Sequence, residues 1–146
     1  MAGVDTYTPV DPEFEQRVRS SFAQQSAMAL LGASLTLVEP GTVEVTLPFR
    51  SDLTQQHGYV HAGVLTAIAD TACGYAAYTL MPADSDVLSV EFKMNLLRPA
   101  AGERFVARGT VLKPGRTLTV VRADVLAFGK AGSTLVAAMQ ATMISR

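Results

Sequence analysis

Residues 61–81 read HAGVLTAIADTACGYAAYTLM, an apolar stretch with a single charged side chain, Asp70, near its middle. Asp70 is the one formally charged residue between Asp52 and Asp84, and the chain's two histidines, His57 and His61, lie just upstream. A carboxylate is costly to bury without a partner, so its place in an otherwise apolar helix needs a reason. On a helix, Gly63, Ala67, Asp70, Gly74 and Ala77 follow spacings of four and three and share one face. A glycine inside a helix costs about 1 kcal/mol relative to alanine, so Gly74 needs a reason too. Two explanations fit. The small face lets another element pack closely, with Asp70 hydrogen-bonded at its edge, or it leaves room for a ligand to approach the carboxylate.

Upstream of this segment, PEFEQRVRSSFAQQSAMALLGA (residues 12–33) places Pro12 in a first helical turn after Asp11, a good N-cap. Phe14, Val18 and Phe22 recur every four residues, so an amphipathic helix is expected over about residues 11–25. A short second turn follows before Gly32. SLTLVE (34–39) and TVEVTLPF (42–49) read as strands joined by the turn pair Pro40-Gly41. Val43, Val45 and Leu47 alternate with Glu44 and Thr46, which gives one dry and one wet face. After the loop SDLTQQHGYV (51–60), the central helix ends before Pro82.

The remainder is a meander: VLSVEFKMNLLRP (87–99), ERFVARGTVLK (103–113), RTLTVVRADVLAF (116–128) and STLVAAMQATMI (133–144). Turns at residues 99–102, at Pro114-Gly115 and at residues 129–132 separate these strands. The fold class is α+β, one long apolar helix against an antiparallel sheet of five to six strands, in one domain over residues 1–146. A helix this apolar must be covered nearly all round. One curled sheet leaves its small-residue face and the sheet edge open, and pairing two chains closes both.

Composition agrees. Of 146 residues, 49% are hydrophobic and 17% charged, which is apolar for a small monomer and points to an oligomer. A net charge of −1 provides no field for nucleic acid or an anionic membrane, and neither is expected as a partner. The single cysteine, Cys73, has no partner for an intramolecular disulfide, fits a reducing compartment, and reads as a small core residue. The N-terminus MAGVDTYTPVDPEFEQ lacks the basic start and apolar run of a signal peptide. Asp70, glycines and threonines argue against a membrane span over residues 61–81. A cytoplasmic protein is expected.

His57 and His61 have the i, i+4 spacing of some zinc sites, but no third imidazole or second cysteine accompanies them, so no metal is expected. Ser20, Ser21 and Ser26 lack the strand–turn–helix setting of a nucleophilic serine. Pro114-Gly115-Arg116 lacks the pattern of a phosphate-binding P-loop. Tyr59 and Tyr75 read as pocket or core aromatics rather than proton donors.

QQHGYVHAGVLTAIADTACGYAAY (55–78), followed by SVEFKMNLLRPAAGE (89–103), resembles the hotdog-fold acyl-CoA thioesterases of the phenylacetic-acid-degradation type. The resemblance covers roughly residues 30–143. In that family a loop Asn or Gln precedes an H-G-G element, an acid follows nine residues after the His, and a strand ends in an R-P-A turn. Gln55, His61-Ala62-Gly63, Asp70 and Arg98-Pro99-Ala100 match in order and spacing. The resemblance implies an acyl-CoA substrate and no separate cofactor. It implies that Asp70 is the nucleophile or the base that activates water, and that the Ala62 backbone N–H polarises the thioester carbonyl with help from Gln55. By the same resemblance Ser89 orients water or the carboxylate, and His61 shapes the site near the carbonyl or sulfur. Ala62 stands where the family usually has Gly; the main-chain donor survives, and the added methyl bears on specificity.

Helix geometry adds a constraint. Nine residues turn a helix about 900° and advance it about 13.5 Å, so His61 and Asp70 of one chain cannot converge on one small reacting centre. If both act, the helix start of one protomer meets the Asp70 of another across a two-fold axis, in a homodimer or a dimer of dimers. Arg98, Lys113 and Arg116 flank turns and read either as solvated strand-end charge or as contacts to the phosphates of coenzyme A. With Gly63, Gly74 and Gly115 they complete the candidate substrate contacts. Two other functions remain open on this sequence: an enoyl-CoA hydratase-type enzyme with His61 as base, and a non-catalytic acyl-CoA-binding module.

Overall fold

The computed structural model describes residues 5–146, so the part of the N-terminal signal-peptide reading that falls on residues 1–4 lies outside the described residues. Two short helices, α1 (Phe14–Ala23) and α2 (Ser26–Leu31), precede the hairpin β1 (Ser34–Glu39) and β2 (Thr42–Pro48). The long helix α3 (Ala62–Tyr78) follows, then the strands β3 (Val87–Leu96), β4 (Arg104–Lys113), β5 (Leu118–Gly129) and β6 (Gly132–Ser145). The strands form one antiparallel sheet in the order β1-β2-β4-β5-β6-β3, which curls around α3 as a hotdog fold.

The sheet face towards α3 is dry. Val43, Val45 and Leu47 of β2 and Val121, Ala123 and Val125 of β5 are fully buried, while Glu44, Arg108, Arg122 and Asp124 pair on the opposite face. The alternation in β5 that is irregular by residue type is therefore regular by burial, with Thr119 continuing the inner row. The β1–β2 turn is the expected Pro40-Gly41 pair, and Gly41 takes φ +77°, a conformation costly for a residue with Cβ. Gly109 of β4 lies directly under α3. A Cβ there would strike the Ala72 carbonyl oxygen, so glycine sets how closely helix and sheet approach.

The first helix begins later than its sequence suggests. Asp11 accepts the Glu13 N–H at 2.9 Å in a turn before the helix, which starts at Phe14. Asp11 is instead buried beside Arg17, 3.1 Å from Nε. Arg17 then donates to the carbonyls of Tyr78 (3.0 Å) and Met81 (2.8 Å) and stacks on the Tyr78 ring at 4.2 Å. One guanidinium thus satisfies carbonyls that the end of α3 leaves without helical partners. No helix among the described residues is long and apolar enough to cross a membrane.

Candidate active site

The start of α3 is organised by the loop before it. Gln55 anchors this loop: its Oε1 accepts the N–H groups of His57 (2.6 Å) and Tyr59 (3.2 Å), and its backbone pairs with Tyr59 and Gly58. With its oxygen committed to the turn, the Gln55 side chain has its NH2 group to offer a ligand. Gly58 takes φ +83° to close the turn.

His61 is the N-cap of α3, and its Nδ1 accepts the Gly63 N–H at 2.8 Å. The Val64 N–H turns back to the His61 carbonyl. Among the described residues the Ala62 N–H has no hydrogen-bond acceptor, so one unspent donor stands at the positive end of the helix dipole. Ala62 and Gln55 line a cavity of about 400 Å³ together with Tyr59, Leu65, Leu97 and Arg98. Arg98 is tied down by a 2.8 Å bond from Nη1 to the Leu135 carbonyl.

Asp70 lies elsewhere. It is half-buried on α3, and Ser89 of β3 donates to its Oδ1 at 2.7 Å. Ser89 reaches Asp70 because β3 pairs in register with β6 up to Ser89↔Met143 and then bulges at Val90. Asp70, Ser89, Gly74, Tyr75 and Asp86 line a second cavity, of about 360 Å³. A Cβ built on Gly74 meets nothing within 4 Å, so that glycine leaves open space beside Asp70. Cys73 is buried, and its thiol is pushed well above its ordinary value, first by burial and then by the Asp70 charge. It is a protonated core side chain and supplies no thiolate.

The candidate residues therefore separate into two groups in one chain. Gln55, Ala62 and Arg98 surround one cavity and Asp70, Ser89 and Gly74 the other. Gly63 is exposed at the helix start. Lys113, Gly115 and Arg116 form the exposed β4–β5 turn and line neither cavity; Gly115 is required there because a Cβ would strike the Leu118 carbonyl oxygen. At the Asp70 cavity the Tyr75 hydroxyl hydrogen-bonds to both Ser21 and Gln25, a grouping that the sequence does not signal. Tyr75 lies 54 and 50 positions along the chain from Ser21 and Gln25, which hides the grouping from any local motif.

Known proteins share this arrangement of elements. A thioesterase family protein from Silicibacter pomeroyi is 50% identical, and the match covers 90% of this chain and 97% of that one with a TM-score of 0.89. The Escherichia coli PaaI protein from the phenylacetic acid degradation operon shares the fold at 20% identity and a TM-score of 0.82, over 92% of this chain and 94% of its own. A Saccharolobus solfataricus protein, whose name proposes it as an esterase, is 32% identical over 87 residues, which is 60% of this chain. That match spans 61% of the Saccharolobus protein's length. The family model described as Thioesterase superfamily matches residues 57–131, from the loop before α3 through α3, β3, β4 and β5 to the β5–β6 turn. That span is more than half of the chain and includes the start of α3 and Asp70, and the chain belongs to the thioesterase superfamily.

Proposed function

We propose that this chain is an acyl-CoA thioesterase whose reacting centre is shared between two protomers. The observation that carries the reading is the division of the candidate residues between two cavities at different heights on α3, each holding half of what the reaction needs. One half supplies donors for a developing oxyanion, the Ala62 N–H and the Gln55 NH2 group. The other supplies a carboxylate, Asp70, steadied by the Ser89 hydroxyl.

The surfaces that would close the halves together are also uncovered. The small face of α3 runs past Gly63, Ala67, Asp70 and Gly74, none of them buried. Edge strand β3 turns Phe92 and Leu96 towards the helix side of the sheet, opposite the buried Ala141 and Ala137, yet leaves them 46% and 57% exposed. An edge this apolar invites a partner strand.

In the paired enzyme the thioester carbonyl oxygen accepts hydrogen bonds from Ala62 and Gln55 of one protomer. Asp70 of the partner subunit attacks the carbonyl carbon or takes a proton from the water that does. The tetrahedral intermediate collapses by breaking the C–S bond, and coenzyme A leaves as a thiolate that picks up a proton; where Asp70 is the nucleophile, water then hydrolyses the acyl-aspartyl anhydride, releasing the acid and restoring the carboxylate. Donors fixed before reaction stabilise the oxyanion, and removing one typically costs about 10²–10³ in rate. A hydration reaction on this scaffold needs His61 as base, and the commitment of its Nδ1 to the Gly63 N–H favours hydrolysis instead.

The test is free-thiol release from short, medium, long and aryl acyl-CoAs, comparing wild type with Asp70→Ala. Turnover by wild type and a loss of about 10³-fold or more in the variant are expected. Full turnover by a folded Asp70→Ala protein overturns the mechanism.

A further inference from the structure

Ser89 stands between the Asp70 cavity and the core, and its hydroxyl has an acceptor on each side. Its Oγ lies 2.7 Å from Asp70 Oδ1 and 3.4 Å from the sulfur of Met143. The bulge at Val90 creates this position. Ser89 and Phe92 both turn towards α3 although three positions apart, opposite the buried Met143 and Ala141 of β6. Met143 is fully buried, and among the described residues Ser89 alone donates to its sulfur.

A serine hydroxyl carries one proton, so the two acceptors compete for it. A carboxylate forms the stronger, charge-assisted bond, and a thioether is a weak acceptor. While Asp70 is charged, the Ser89 proton therefore points to Asp70. Once Asp70 takes a proton from the attacking water, that advantage is gone. The new carboxyl O–H then needs an acceptor of its own, and Ser89 serves only with its proton turned elsewhere. Met143 is the place for that proton: Ser89 donates to sulfur and accepts from Asp70.

We infer that Met143 is a positioning residue, the second acceptor through which Ser89 changes from donor to acceptor as Asp70 becomes neutral. The proton balance closes. Water gives one proton to Asp70 as its oxygen attacks the carbonyl carbon, Asp70 holds that proton against Ser89 Oγ, and the departing thiolate takes it. Asp70 is then charged again, and the Ser89 proton returns to it. Without the sulfur, Ser89 stays a donor and favours the charged carboxylate, which makes proton uptake harder. The inference rests on the thioesterase reading, with Asp70 as base, for the water and the thiolate. The exchange of hydrogen bonds itself needs no substrate.

The experiment compares wild type, Met143→Leu, Ser89→Ala and the double variant, with thermal melting to verify folding. Carbon-13 NMR follows the Asp70 carboxyl through its titration without substrate, assigned by its loss in Asp70→Asn, and thiol release from acyl-CoAs provides kcat and KM. Leucine conserves the volume of methionine, and Met139→Leu alters the same buried row of β6 away from Ser89 as a control. Should Met143→Leu fail to fold, protein made with norleucine in place of methionine keeps the shape and lacks the sulfur. Asp86, Tyr75 and Tyr78 share the cavity with Asp70, and Cys73 is coupled to it; no lysine, arginine or histidine lines it, and α1 adds only Ser21, Gln24 and Gln25. These groups are the same throughout the series, so differences report Met143.

The Asp70 midpoint should fall by about half a pH unit in Met143→Leu and kcat by about threefold, with KM unchanged. Neither should change in Met139→Leu, and Met143→Leu should add nothing once Ser89 is alanine. An unmoved midpoint in Met143→Leu overturns the inference, as does the same shift in the absence of the Ser89 hydroxyl. A shifted midpoint with wild-type kcat overturns the role in the reaction. Thiol release by wild type without the shift removes this inference and leaves the thioesterase standing. The shift with no thiol released from any acyl-CoA does the reverse.

Discussion

Asp70 and Cys73 are three positions apart on one helix, and their surroundings give them opposite characters. Asp70 sits on the open face, where Ser89 donates to one carboxylate oxygen and the other has no hydrogen-bond donor among the described residues. Ser89→Ala removes that bond while keeping the strand, so kcat for thiol release should fall about tenfold with little change in KM, as expected for a neutral donor to a charged acceptor. A KM effect alone would mean that Ser89 contacts substrate rather than the carboxylate. Cys73 faces the sheet, and burial together with the Asp70 charge keeps its thiol protonated in the folded chain. The unfolded chain releases that proton near the ordinary value of 9.0. Below that pH both states hold the proton and nothing changes. Above it the unfolded state gains stability, by about 1.4 kcal/mol per pH unit. Urea midpoints should therefore fall with rising alkalinity more steeply in wild type than in Cys73→Ala, and parallel curves would contradict the assignment.

At the scale of elements, α3 is held at both ends by groups outside it. His61 caps its start, and Arg17 of α1 binds the carbonyls beyond its end. Thr79 ties the same end to the β1–β2 turn by accepting the Gly41 N–H at 2.8 Å. Between these anchors Gly109 brings β4 against the Ala72 carbonyl. Gly74, by contrast, touches nothing through its missing Cβ, so its helix-weakening effect is not offset by packing. Gly74→Ala should raise stability by about 1 kcal/mol, which for a chain of this size is a few degrees in Tm. The same methyl intrudes on the Asp70 cavity, so KM should rise as Tm does. Melting curves and steady-state kinetics on one preparation check both. An increase in Tm with unchanged KM would show that acyl groups do not pass over Gly74.

At the scale of the whole molecule, a composite site has a consequence that no single-chain site shares. Asp70→Ala spoils the carboxylate half and Gln55→Ala the donor half. Mixed as unfolded chains and refolded together in equal amounts, they form heterodimers as about half of all pairs, and each heterodimer holds one intact site. Activity should recover to about a quarter of wild type from two preparations that are each nearly inactive. No recovery, with heterodimers demonstrated by mass, would place all the catalytic groups within one chain.

Hydrophobic periodicity and turn chemistry are local, so the six strands, the helix order and the turns at Pro40-Gly41, Pro114-Gly115 and residues 129–132 were legible in the sequence and match the structure. The Asp70 and His61-Ala62 elements were legible too, since each lies in one short segment. Strand order was not, because β2 pairs with β4 and β3 lies at the edge beside β6, contacts that depend on how the sheet wraps α3. The start of α1 departs from its local pattern for a related reason: Asp11 pairs with Arg17, which in turn binds the end of α3. The Ser21–Gln25–Tyr75 cluster, the bond from Ser89 to Asp70 and the division of the site into two cavities join residues far apart in the chain. The sequence alone determined which elements form and which residues are candidates for the chemistry, because propensity and patterning act over a few neighbours. Tertiary structure decided which of those residues meet, because packing α3 against one curled sheet sets their distances.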